Sequence, residues 1–193
     1  SLDAALVVDA GIPGGLLTLW HNEEPDVGDV LFEVESYTQP AQWWRVALDT
    51  GERTLVKSIE LPHYRPDDYV LELRWVTARD GEQVPVKLAR HRNTPLDGTA
   101  PVLLYGYGAY ESSFWPGFDV AIPSLLDRGV VFAHALIRGG GDMGRRWYVA
   151  GRLLSKRNTF TDFIDAADQL DAQGLVDGSR IVSRGLSAGG LLQ

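Results

Sequence analysis

The chain has 193 residues, 45% of them hydrophobic and 23% charged, with 21 Gly, ten Pro, six Trp, one Met and no Cys. This composition can bury a core and excludes collagenous, coiled-coil and disordered readings. A formal charge of −8 repels a phosphate backbone, so no nucleic acid partner is expected. No apolar run reaches the roughly 18 residues of a membrane span, and zero Cys with four scattered His (His21, His63, His91, His134) leaves neither a metal site nor a cofactor to expect.

Residues 2–59 consist of short β-rich runs separated by turn signals. Strands are predicted at 5–8, 15–20, 30–37, 43–48 and 53–59, with Asp49-Thr50-Gly51-Glu52 as the clearest hairpin turn. Such spacing suits a β-propeller blade or part of a sandwich, and roughly 40 to 50 residues make one blade. Residues 57–68, with Pro62 and Pro66, read as a linker.

Beyond the linker, strands alternate with helices. Runs 69–78 and 83–91 flank Arg79-Asp80-Gly81-Glu82, an Asp-Gly turn that predicts an antiparallel hairpin at a sheet edge. Residues 101–105 and 129–137 are nearly continuous apolar runs, the pattern of strands buried on both faces. Val120 to Leu126 suits a short helix. Phe160, Phe163, Ile164, Ala167 and Leu170 fall at helical spacing; Thr159 and Asp162 predict a capping box at the start of that helix and Gly174 its end. A strand at 180–183 completes the opening of an α/β sheet wound with helices on both faces.

Three glycine-rich loops follow predicted strands. Gly185-Leu186-Ser187-Ala188-Gly189-Gly190 has the G-x-S-x-G form of a nucleophile elbow, in which a tight strand-to-helix turn leaves room only for small residues two positions either side of the serine. The following N–H groups point at the site and favour a developing oxyanion. The bland alternative is a Gly-rich turn. Tyr105-Gly106-Tyr107-Gly108-Ala109-Tyr110 stands where α/β-hydrolases place their other oxyanion donor, or is a turn whose aromatics pack on the core. Ile137-Arg138-Gly139-Gly140-Gly141 lacks the Lys-Ser/Thr of a phosphate loop and reads as a structural loop, with Arg138 paired to a carboxylate. All four histidines precede Ser187, whereas α/β-hydrolases order their triad Ser, Asp or Glu, His; the acid and base are expected beyond Gln193. The start at Ser1 and the stop inside a predicted helix lead us to expect a fragment, inactive alone and not a stable monomer.

Together these segments, with Asp127-Arg128-Gly129, Trp147-Tyr148, Lys156-Arg157-Asn158-Thr159-Phe160 and Asp162-Phe163, resemble the prolyl oligopeptidase family, and through Ala78-Arg79-Asp80-Gly81 and Ser187-Ala188-Gly189-Gly190 its oligopeptidase B branch. The resemblance covers residues 45–193. It implies a serine oligopeptidase of the cytoplasm acting on short peptides, with a β-propeller before an α/β-hydrolase domain. Residues 1–65 then form the end of the propeller plus linker, and 66–193 the N-terminal part of the catalytic domain. By motif, Ser187 corresponds to the nucleophile, and Tyr107 and the Ala188 N–H to the oxyanion donors. Cleavage after Arg or Lys is implied, with the acidic pocket residues beyond Gln193. One segment departs from the pattern: Trp115 and Gly117 stand where oligopeptidase B carries carboxylates, so an apolar substrate-binding subsite built with Trp115 and Phe118 is expected. Post-proline cleavage, a carboxylesterase and a non-catalytic binding module remain alternatives, and no oligomeric state is implied.

Overall fold

Alternating apolar residues give residues 16–58 one face to bury. In the computed structural model, which describes residues 11–12, 14–24, 27–113 and 117–193, they form β1 (Leu16–Leu19), β2 (Asp29–Glu35), β3 (Gln42–Ala47) and β4 (Arg53–Ser58). These pair in sequence order, all antiparallel. Phe32, Val34 and Val46 make the buried cluster. The β3–β4 turn closes at Gly51, whose φ of 72° is open to glycine without penalty and whose N–H donates to the Ala47 carbonyl at 2.8 Å. One up-and-down four-stranded sheet is the form of a propeller blade; a sandwich would stack a second sheet on it. The strand expected at 5–8 lies outside the described residues.

This sheet belongs to the first of two units, which runs to Pro66 and includes residues 117–119. Within it, the Phe118 N–H donates to Glu35 Oε2 at 3.1 Å, and the Phe118 ring meets Tyr64 edge-on at 5.4 Å.

The second unit holds a five-stranded mixed sheet in the order β5-β6-β8-β7-β9. β5 (Tyr69–Thr77) and β6 (Gln83–His91) form the expected hairpin; Gly81 sits at φ 88° in its turn, and the Ala78 N–H donates to the Glu82 carbonyl at 2.9 Å. β7 (Val102–Gly106), β8 (Val131–Ala135) and β9 (Ile181–Arg184) run parallel. Every residue of β8 is buried, as its continuous apolar run predicts. Helices α1 (Ala121–Leu126) and α3 (Arg157–Ala172) pack on this sheet. Phe163, Ala166 and Leu170 of α3 join Val86, Leu104 and Ala133 in one core cluster, where each fully buried large side chain contributes about 1.5–3 kcal/mol. No helix among the described residues is long and apolar enough to cross a membrane.

Three local expectations are corrected. Thr159 and Asp162 form no capping box: α3 begins two residues earlier, with Lys156 as N-cap and no side-chain cap bond. Both side chains are wholly buried and turned to the core, where Thr159 Oγ1 donates to the Arg138 carbonyl at 2.7 Å and Asp162 accepts from Arg138. Residues Ser187–Leu192, expected as the first turns of an α-helix, are wound as a 3-10 helix. A short helix α2 (Arg145–Val149) stands where none was predicted, because five residues show no periodicity; it is anchored by buried Trp147, whose Nε1–H donates to the Leu136 carbonyl at 2.9 Å.

Candidate active site

β9 delivers the chain to Ser187 in an unusual backbone state. Leu186 is extended at φ −122°, and Ser187 turns to φ 55°, the left-handed region that ordinary residues avoid. The turn is tight enough that a Cβ on Gly185 would collide with the Gly189 carbonyl. A Cβ on Gly189 would lie 2.6 Å from the Gly106 carbonyl oxygen and 3.2 Å from Tyr107 Cα. The small residues on either side of the serine therefore answer a steric demand, which is the mechanical signature of a nucleophile elbow. Ser187 is exposed and Ala188 half-buried.

The Gly189 contacts also bring the second predicted element to the elbow. Tyr107 follows the last residue of β7 and lies half-buried, its backbone against Gly189. Gly108 turns away at φ 63°; a side chain there would strike Thr159 and Ile137. Tyr110 and Glu111 are also left-handed, at φ 58° and 57°. Their loop is braced by the third glycine-rich segment: the Glu111 N–H donates to the Gly139 carbonyl and the Gly141 N–H to the Ser112 carbonyl, each at 3.2 Å. Arg145 pairs with Glu111. The Ile137–Gly141 loop is thus a support for the Tyr107 loop.

That support rests on a charge cluster in which Arg138 and Asp162 are buried and Asp80 reaches solvent. Arg138, its side chain 5% exposed, meets Asp162 through Nε at 2.8 Å and Nη2 at 2.5 Å, and Asp80 through Nη1 at 2.6 Å. Hydrogen bonding to Asp162 holds the guanidinium charged, and Arg138 in turn pulls the Asp80 carboxyl below its usual range. A buried cation of this kind is tolerated only while its partners remain.

Ala188 lines a cleft of about 290 Å³ together with Tyr110, Tyr148, Arg152, Lys156 and Leu191. Arg152 stacks over the Tyr148 ring at 4.9 Å, and Lys156 Nζ donates to the Gly108 carbonyl at 2.6 Å. Lys156 was quoted above only as part of a family motif; a lysine before a helix carries no sequence signal for such a bond. Of the histidines in this unit, His134 is buried in β8 and its pKa pushed down to about 3 by burial, so it stays neutral. His91 accepts the Asn93 N–H and packs on Tyr69. Neither serves as a base for Ser187. Trp115 lies outside the described residues, and Phe118 sits in the first unit against Tyr64. Gly117, also in that unit, has Glu35 Oε1 3.4 Å from where its Cβ would stand.

Residues 116–193 match the family model described as "Prolyl oligopeptidase family". The chain belongs to the prolyl oligopeptidase family. It is 45% identical over 172 residues to dipeptidyl aminopeptidase BI of Pseudoxanthomonas mexicana and 40% identical over 168 residues to protease 2 of Moraxella lacunata, covering 89% and 86% of this chain and 24% of each relative. The solved structure of oligopeptidase B from Trypanosoma brucei superposes with a TM-score of 0.87 at 35% identity, covering 96% of this chain and 27% of that one. Oligopeptidase B from Leishmania major gives 0.84 at 36% identity, over 92% of this chain and 25% of that one. The chain spans about a quarter of the length of the curated relatives it matches. In this family the mixed sheet is the opening of an α/β-hydrolase domain and the four-stranded sheet a blade of the preceding propeller.

Proposed function

We propose that this chain supplies the nucleophile and oxyanion donors of a serine oligopeptidase acting on short peptides, with cleavage after Arg or Lys. The observation that carries the reading is the left-handed Ser187 at the end of β9, with Gly189 seated directly on Tyr107. Ser187 Oγ attacks the scissile carbonyl, and the Tyr107 hydroxyl and Ala188 N–H stabilise the oxygen that becomes negative. The amine then leaves, and water releases the acyl group from Ser187. The general base and its acidic partner come from residues outside 1–193, following the Ser, acid, His order of α/β-hydrolases. The apolar residues at 115 and 118, read from the sequence, favour an apolar preference beside the scissile bond over a second basic one, and the cytoplasm is the proposed compartment.

The test is done at the full length of the relatives. Ser187→Ala should abolish turnover and fluorophosphonate labelling, while Tyr107→Phe should lower kcat about 10²- to 10³-fold with little change in KM. A Ser187→Ala protein that still labels would remove the serine-enzyme reading and leave the binding module. Blocked peptides ending in Arg, Lys or Pro before a fluorogenic amide decide specificity; rapid cutting after Pro alone would replace the Arg/Lys assignment. A second reading, release of dipeptides from a free N-terminus, is supported by the 45% identity to a dipeptidyl aminopeptidase. It requires that blocking the substrate's amino group stop the reaction.

A further inference from the structure

We propose that Lys156 is a positioning residue for the oxyanion site: its ammonium, bonded to the Gly108 carbonyl oxygen at 2.6 Å, locks the loop that aims the Tyr107 hydroxyl. This rests on the reading of Tyr107 as an oxyanion donor. The loop needs such a lock because of how it is built. Gly108 must be glycine, since its φ is 63° and a side chain would strike Thr159. The same freedom lets the peptide after Gly108 rotate to other orientations at small cost. Packing beneath Gly108 by Thr159 and Ile137 fixes where the loop lies, and the Glu111 N–H on Gly139 fixes its far end. The Gly108 carbonyl packs against the backbone of Gly139, which limits its swing on one side, and Lys156 fixes its direction with a charge-assisted bond roughly twice as strong as a neutral one.

The setting of Lys156 has no cheaper explanation. It occupies the N-cap of α3 with helical dihedrals and makes no side-chain cap bond, and the positive end of a helix disfavours a cation. Among the described residues no carboxylate stands within ion-pair distance of it, and its aromatic neighbour Phe160 lies 6.0 Å from Nζ, at the limit of a cation–π contact. Partial burial works against its charge. A lysine kept in so unfavourable a position is accounted for by what it holds, and it holds the loop one residue past Tyr107, in the wall of the cleft that also contains Ala188.

The experiment is a double-mutant cycle in the full-length enzyme. Lys156→Met, which keeps the stem and removes the donor, should lower kcat about ten- to 100-fold and leave KM within about twofold. Lys156→Arg should recover most of that turnover. In a Tyr107→Phe background, Lys156→Met should cost less than about twofold more, because the group it aims is already gone. Losses that add in full, a loss confined to KM, or equal losses in the Met and Arg variants would overturn the proposal. A Tyr107→Phe enzyme with normal turnover would instead overturn the oxyanion reading itself. Should Lys156→Met fail to fold, Lys156→Gln, which keeps a donor without the charge, enters the same cycle.

Discussion

The two strands that carry the site are held in different ways. β7, which leads to Tyr107, lies between β8 and β9, and Val102, Leu104, Tyr105 and Gly106 are buried. β9, which leads to Ser187, pairs with β7 alone among the described strands, and Val182, Ser183 and Arg184 are exposed. The Tyr107 loop is braced by α3, by the Ile137–Gly141 loop and by Lys156, and the elbow meets it through Gly189 against Gly106 and Tyr107. Within residues 1–193, then, the elbow and the Tyr107 loop are one unit of packing, joined where Gly189 meets the backbone of Gly106 and Tyr107.

The largest expected effect comes from breaking that dock. Gly189→Val puts a branched side chain where even a Cβ meets the Gly106 carbonyl and Tyr107 Cα. Displacing the serine by about an ångström costs on the order of 10²-fold, and losing its alignment with Tyr107 as well should bring the loss in kcat/KM to roughly 10³-fold or more. Circular dichroism should stay native while fluorophosphonate labelling collapses. Equal activity in the variant would mean that the elbow is held elsewhere.

Next is the brace itself. Asp162→Ala leaves Arg138, almost wholly buried, with Asp80 as its remaining carboxylate. Removing a partner from a buried ion pair costs about 3–5 kcal/mol, and with Asp80 still paired to Arg138 chemical denaturation should show a loss near the lower end of that range. A loss below about 1 kcal/mol would show that water or Asp80 takes over and that the cluster does not carry the loop.

These two predictions also mark what could be read from residues alone. The elbow was legible because a left-handed serine imposes glycine two positions away on each side, a requirement written directly in the motif. The hairpins were legible for a similar reason, through Gly51 and Gly81 at φ 72° and 88°. β7 and β8 announced themselves by uninterrupted apolar runs. The capping box was misread because Thr159 and Asp162 have the spacing of a cap whether their side chains turn to the helix end or to the core, and only the position of Arg138 decides between them. Lys156 and α2 were illegible on other grounds. A lysine bonded to a carbonyl 48 residues earlier depends on tertiary geometry, and five helical residues are too few to show a period.

A smaller effect tests the buried side of the comparison by pH. His134 in β8 stands opposite Lys87 of β6 and Tyr105 of β7, and burial lowers its pKa from 6.5 to about 3. The unfolded chain binds a proton here below pH 6.5 while the folded one does not until about pH 3, so stability is complete above that window and declines as pH falls through it. At pH 5 the loss from this group should be about 2 kcal/mol. His134→Leu should flatten the stability profile between pH 6.5 and 5; an unchanged slope would show that the histidine is protonated in place.

The smallest effect separates holding the loop up from aiming it. Thr159, fully buried, does two things: Oγ1 donates toward the Arg138 carbonyl at 2.7 Å and the Gly151 carbonyl at 3.1 Å, and Cγ2 fills the space beneath Gly108. Thr159→Val keeps the methyl and removes the hydroxyl, so it should lower stability by about 1 kcal/mol, the usual worth of a buried hydrogen bond, and leave kcat nearly unchanged. Thr159→Ser keeps the hydroxyl and removes the methyl, opening a small void under the loop at a cost of about 1 kcal/mol. Because the void lies directly below Gly108, this variant should show the larger loss of kcat, by a few-fold, at similar stability. Matched denaturation midpoints with reversed kinetic effects would mean that the hydroxyl, through Arg138 and Gly151, aims the loop, and that packing under Gly108 merely fills space.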